Sequence, residues 1–320
     1  MPSPSFDEFL ARLRAEADPA PPTKYGNYGS YQRIFTRIER LRQGGASVES
    51  PGRSASGEPL WAVRIGSRDA RPRRHVLYFA NLHAQEFIGV EALLATVERA
   101  ASRIAEGDPR YEGVAITALP TANPDGYRQV LRDLASGGAR FRRKNLRGVD
   151  LNRNFAEGFD RNALLARALP QVFHPGAAPL CEPETAALDG LFSRRFDRAL
   201  SFHSFGDWIF WPWAGRHDAT DDDRRFFALA EAMRARQSRP YRAVQLGRWA
   251  RWFSAGGSEI DHLYSRYGTL ALLIEVSKGG RAIDRPSTWI DPFAWYNPAE
   301  VAMEVENVVE AALAIAEVEG

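Results

Sequence analysis

The chain has 320 residues, 44% hydrophobic and 26% charged, which is enough for one large α/β domain or two small ones and too apolar for a disordered chain. Its 42 basic and 40 acidic residues leave a net charge of +2, which gives no footprint for nucleic acid or an anionic membrane surface. The single Cys181 excludes an internal disulfide, so the fold does not depend on an oxidising compartment. Residues 5–17 read as a short amphipathic helix, and a Pro-rich break follows at 19–22. Tyr31 to Leu41 has apolar residues at helical spacing. The stretch QGGASVESPGRSASGEP reads as turn-rich and flanked by strands, and LWAVRIG alternates as a strand.

Residues 75–80 form a short apolar run of β-formers, the pattern of a buried strand. From Ile88 the period changes to helical, with Val90, Leu93, Leu94, Val97, Ala101 and Ile104 on one face. VAITALP is the next strand and TANPDGY its turn, with Asn-Pro and Asp-Gly as breakers. GVDLNRNF reads as another strand end. A helix is expected over Glu182 to Leu191, a strand in ALSFHSF and a long helix in DDDRRFFALAEAMRARQ. A buried strand in TLALLIEVS and a C-terminal amphipathic helix in EVAMEVENVVEAALAIAEV complete the series. Alternating strands and helices predict a single α/β domain with a mixed, mostly parallel central sheet and helices on both faces. Residues 1–24 are expected to form an N-terminal helical extension and 25–320 the catalytic domain. The N-terminus lacks an apolar signal core and no run reaches the length of a membrane span, so a cytoplasmic protein is expected.

The chemistry concentrates at strand ends, where open α/β sheets place their sites. His83 and Glu86 are three residues apart, so one turn can aim both at one ion. His203, in SFHSFGDW, ends a second strand. Two histidines and a glutamate form a catalytic zinc site with its fourth position open to water. Glu275, after an apolar run, is a candidate general base, although the same residue fits a strand-end ion pair with Lys278.

Four segments in order, NLHAQE, NPDGY, RRKN with GVDLNRNF, and SFHSFG, are joined by GGSEIDHLY and LLIEVS. In these the chain resembles the zinc carboxypeptidases over about residues 25–310. The resemblance implies one zinc ion per chain, held by His83, Glu86 and His203. It implies that Arg143 polarises the scissile carbonyl, with Arg142 as the adjacent candidate. Asn152 and Arg153 match the pair that binds the free C-terminal carboxylate of a peptide substrate. Asp150 matches the acid that orients the first zinc histidine, and Glu275 matches the catalytic glutamate. No propeptide domain is expected, since only a short segment precedes the match.

The chain departs from the family pattern in its specificity loop. A mobile tyrosine usually precedes the Gly-Gly pair; here Trp252 stands at that position, with Phe253 the alternative. Counting from Gly256-Gly257 puts Glu259 at the base of the side-chain pocket, whereas counting back from Glu275 puts Ile260 there and Asp261 next. The count from Glu275 needs no gap and favours Ile260. An acid would select Lys or Arg, and an isoleucine would select apolar or aromatic side chains. Trp208, Trp211, Trp213, Trp249 and Trp252 suggest an aromatic-walled cleft. The leading expectation is a metallocarboxypeptidase. The alternatives are a related amidase or endopeptidase on cell-wall peptides, or an inactive binding protein that keeps the fold.

Overall fold

The computed structural model describes residues 4–318 apart from 26, 163–167, 250–253, 282 and 284. Its centre is an eight-stranded sheet: β1 (Ser47–Arg53), β2 (Pro59–Gly66), β3 (Arg74–Ala80), β4 (Val114–Leu119), β5 (Arg198–His203), β6 (Trp208–Trp211), β7 (Arg242–Gln245) and β8 (Leu270–Glu275). The spatial order is β1-β2-β4-β3-β5-β8-β6-β7. The central run β4-β3-β5-β8 is parallel, as is β6-β7, while β1-β2, β2-β4 and β8-β6 are antiparallel. The sheet is therefore mixed and mostly parallel.

The longer helices are α1 (Phe6–Ala15), α2 (Tyr31–Gln43), α3 (Phe87–Ala105), α4 (Pro124–Ala135), α5 (Pro183–Phe192), α6 (Asp223–Arg234), α7 (Glu259–Tyr267) and α8 (Val301–Glu317). Strand residues alternate between two apolar clusters. Val76, Tyr78, Leu200, Phe202, Leu272 and Ile274 face the cluster that holds α1 to α4, α6 and α8. Leu77, Phe79, Ala199, Ala271 and Leu273 face the smaller cluster under α5 and α7. Covering both faces accounts for the continuous apolar runs in the parallel strands. Each fully buried Leu, Ile or Phe contributes roughly 1.5–3 kcal/mol relative to exposure. α1 opens with a capping box between Ser5 and Glu8 and buries Phe6, Phe9, Leu10 and Leu13 against Phe35 and Trp61. The N-terminal segment thus shares the main core. No helix among the described residues is long and apolar enough to cross a membrane.

Three local expectations change. The turn-rich stretch contains β1, an edge strand whose register shifts between Glu49 and Gly52, which is where an internal Pro51 is tolerated. NPDGY does not stay a turn: Asn123 Oδ1 accepts from Gly126 N at 3.0 Å and Pro124 takes the first helical position, so the breakers open α4. GVDLNRNF forms a 3₁₀ turn at Leu151–Arg153 instead of a strand end, because the Asp150 carboxylate accepts from Asn152 N at 3.1 Å.

α4 presses against the turn that carries His83. A Cβ built at Gly126 lies 2.6 Å from Ala84 Cβ. Gly126→Ala therefore lowers stability by about 1–3 kcal/mol despite alanine's better helix propensity. A reduced denaturation midpoint at constant m checks this; an unchanged or raised midpoint contradicts it.

Candidate active site and metal centre

His83 and Glu86 lie in the turn between β3 and α3, and α3 begins immediately after Glu86. Asn81 makes this turn with φ of +63°, a conformation Asn tolerates, and its Nδ2 donates to the His83 and Ala84 carbonyls. Asn297 Oδ1 accepts from Phe87 N and Ile88 N, satisfying the opening of α3 in place of a cap from within. His203 ends β5 and Glu275 ends β8, paired in register. β3 and β5 are parallel neighbours, so the turn and the strand end meet on one edge.

His83 Nδ1 is 2.7 Å from Glu86 Oε1, and His203 Nδ1 is 2.9 Å from Glu86 Oε2. The two Nδ1 atoms are 3.1 Å apart. All three residues are buried, and one donor atom from each lies within 4.8 Å of the others. The far nitrogens face acids: His83 Nε2 is 3.3 Å from Asp150 Oδ1, and His203 Nε2 is 3.0 Å from Glu259 Oε1. The Glu259 hydrogen bond fixes the His203 tautomer that turns Nδ1 inward, and Asp150 stands behind the His83 ring. Two nitrogens and a carboxylate converging on one point fit a zinc ion with an open fourth position.

The charge balance points the same way. Burial pushes the Glu86 carboxyl up, but the two imidazoles outweigh it and hold it at about 2. Burial lowers His203, yet the Glu86 charge and the Glu259 hydrogen bond carry it to about 10. Burial, reinforced by the Glu86 charge, pushes Glu275 up to about 8 against His203 and Arg143. Its Oε2 is shielded and has no hydrogen-bond partner among the described residues, although the residue keeps some exposure. Burial also raises Asp150, and Arg143, at 2.9 Å from Oδ2, more than reverses it, so Asp150 stays well below the ordinary carboxylate range. Four carboxylates, Glu86, Asp150, Glu259 and Glu275, thus sit with two guanidiniums, Arg143 and Arg153. Protons on His203 and Glu275 offset the excess, and a dication does so in their place.

These groups open on a cleft of about 400 Å³. Arg143, Asn152, Arg153, Glu275 and the three candidate ligands all line it. Arg142 turns away, its Nε donating to Asp133 of α4 at 2.7 Å, so Arg143 is the arginine that faces the site. Arg143 and Arg153 flank the Phe173 ring at 5.6 and 5.5 Å, and Arg153 Nη1 donates to the Asn152 carbonyl at 2.5 Å. Neither Glu259 nor Ile260 lines the cleft. Glu259 is fully buried behind His203, and Ile260 is packed in the α5–α7 core. Asp261 accepts from Ala214 N and Gly215 N and serves the backbone. α7 begins at Glu259, so its first turn is spent on the metal ring and the core. Trp208 and Trp249 line the cleft, whereas Trp211 bonds to Asp223 and Trp213 packs on Tyr264. Trp252 and Phe253 lie outside the described residues. Tyr296, Phe205 and Arg242 also line the cleft and were not singled out from the sequence. Tyr296 packs edge-on to Phe205, and burial raises its hydroxyl to about 12, so it stays protonated at neutral pH.

The zinc carboxypeptidase family model matches residues 35–301, and the chain belongs to that family. Carboxypeptidase SOL1 of Arabidopsis thaliana is 26% identical over 319 residues, covering 89% of this chain and 58% of its own. Gamma-D-glutamyl-L-diamino acid endopeptidase 1 of Lysinibacillus sphaericus is 28% identical over 212 residues, covering 58% and 52%. The chain thus spans about half the length of these curated relatives. The fold matches bovine thrombin-activatable fibrinolysis inhibitor, solved with tick carboxypeptidase inhibitor, with a TM-score of 0.74 at 19% identity over 92% of this chain and 97% of that one.

Two predictions follow from the charge balance. Zinc binding near neutral pH releases about two protons, one each from His203 and Glu275. Both groups are raised, so affinity climbs with pH up to about 8 and more gently to about 10. Calorimetry in buffers of different ionisation enthalpy measures the release, and a value of zero contradicts the balance. Glu259→Ala weakens zinc binding about 10–100-fold by releasing the His203 ring. An unchanged affinity in competitive chelator titration contradicts that role.

Proposed function

We propose that this chain is a zinc-dependent metallocarboxypeptidase that hydrolyses the last peptide bond of a peptide with a free C-terminal carboxylate. The observation that carries the reading is one cleft holding a His-Glu-His donor set, the Glu275 carboxylate, one of whose oxygens has no hydrogen-bond partner among the described residues, and the guanidiniums of Arg143 and Arg153. His83, Glu86 and His203 would hold the zinc ion. When bound, it supplies Lewis-acid activation of water and of the scissile carbonyl.

The remaining work falls to the side chains. Arg153, with Asn152, binds the substrate's terminal carboxylate, a planar anion that suits a guanidinium fork. That anchor fixes the last peptide bond beside the donor set. Arg143 stabilises the negative charge that develops on the carbonyl oxygen. Its own pairing to Asp150 fixes its direction. Glu275 takes a proton from the attacking water and returns it to the departing amine. Burial raises its affinity for a proton, which suits it to take one from water and pass it on. Asp150 and Glu259 position the two imidazoles. The cytoplasmic setting expected from the sequence belongs to this proposal.

A second reading, an endopeptidase on peptides with unusual linkages, is favoured by the name of the Lysinibacillus relative. The two differ in their need for a free terminus. The carboxypeptidase reading predicts that C-terminal amidation lowers kcat/KM at least about a hundredfold, since a buried guanidinium loses its anion. Arg153→Ala should lower activity on the free peptide and level the two substrates. Glu275→Gln should lower kcat about 10²–10⁴-fold with zinc retained. Cleavage of free and amidated peptides at equal rates would instead establish the endopeptidase.

A further inference from the structure

We propose that Arg242 makes this cleft select a C-terminal residue whose side chain carries a carboxylate, an inference that rests on the carboxypeptidase reading above. The strand registers place it. His203 pairs with Glu275, Glu275 with Trp208, and Trp208 with Arg242, across β5, β8, β6 and β7. Paired residues in one row share a face of the sheet. The row faces the α5–α7 side, where Leu273, Trp208 and Val244 also pack. Strands are about 4.8 Å apart, so the Arg242 backbone lies about 10 Å from that of Glu275. That is the reach of one amino-acid side chain from the reacting bond.

The wall between is apolar: Trp208, Phe210, Leu246, Trp249 and Leu273. Trp208 stacks on Phe210 with centroids 5.4 Å apart and meets Trp249 edge-on at 5.8 Å. The Arg242 guanidinium lies over the Trp208 ring at 3.9 Å, which orients it at the end of this wall. Its side chain makes no hydrogen bond or ion pair among the described residues, and it is exposed. The neighbouring acid Asp207 is already engaged by Arg239 at 3.2 Å. The other two cleft guanidiniums have other work in the carboxypeptidase reading: Arg143 pairs with Asp150 beside the donor set, and Arg153 anchors the terminal carboxylate. Arg242 is thus a cation facing the substrate space with its hydrogen-bonding edge unspent.

Among the described residues no acid pairs with it. The acids that line the cleft are Glu86 and Glu275, both at the metal end. A lysine or arginine side chain would therefore meet like charge. An aromatic side chain would gain contact with the tryptophans and leave the guanidinium unused. A glutamate or aspartate side chain would lay its methylenes along the wall and place its carboxylate on the guanidinium fork.

The test compares kcat/KM for release of the last residue from otherwise identical peptides ending in Glu, Asp, Phe or Lys, using the zinc-loaded full chain. The expected order has Glu or Asp ahead of Phe on the order of tenfold or more, and Lys last. Arg242→Gln should collapse the Glu-to-Phe ratio toward one, and Arg242→Glu should place Lys ahead of Glu. Release of C-terminal residues with Phe or Lys preferred, and a ratio that does not move in Arg242→Gln, would overturn this proposal and leave the carboxypeptidase reading standing. Failure to release any C-terminal residue would overturn both.

Discussion

The structure depends on a buried excess of negative charge held in place at the ends of the central strands. Glu86, Asp150, Glu259 and Glu275 outnumber the guanidiniums of Arg143 and Arg153 that sit among them. Carboxylates at such depth are costly unless paired, and the protein meets the cost with imidazoles and protons. His203 is gripped on both nitrogens by Glu86 and Glu259, and His83 faces Glu86 on one side and Asp150 on the other. A dication is the natural occupant of this ring. Burial and the same excess raise the carboxyl of Glu275, placed near the ring with one oxygen that has no hydrogen-bond partner among the described residues.

The fold delivers these groups with little waste. Parallel strands β3, β5 and β8 all end on the same edge, and each end or following turn contributes to the site. Two apolar clusters clamp the sheet from either side, so the strand ends cannot drift independently. The segment from Arg143 to Arg153 crosses behind the turn of His83, and the backbone joins them where Ala84 N donates to the Arg143 carbonyl at 3.0 Å. Asp150 serves both sides of this junction, receiving Arg143, facing His83 and capping the turn of Asn152. The groups that the proposed function assigns to metal ligation, oxyanion stabilisation and carboxylate binding are therefore joined through one residue.

The donor set was legible because His203 ends an apolar run and His83 and Glu86 follow another at the three-residue spacing of one turn. The choice between Arg142 and Arg143 was not legible, since adjacent residues in a loop differ only in the direction of their side chains. Asp133, on a helix that the NPDGY breakers concealed, takes Arg142 out of the site. The hydrogen bond of Glu259 to His203 was not legible, because the two are 56 residues apart and a count along the specificity loop cannot register that contact. β6 and β7 are four residues each, too short to leave a period, and they carry Trp208 and Arg242 into the cleft. β1 was hidden by its own Pro51-Gly52, residues that read as a turn and in fact mark a register shift at the sheet edge.

The central claim is that the ring of His83, Glu86 and His203 is built around one divalent cation. Anomalous diffraction at the zinc absorption edge, from crystals of the zinc-loaded protein, tests it most directly. The account predicts one peak per chain, bounded by His83 Nδ1, His203 Nδ1 and the Glu86 carboxylate, with Asp150 and Glu259 still behind the imidazoles. A site without that peak, with His203 clasped directly between Glu86 and Glu259, would contradict it.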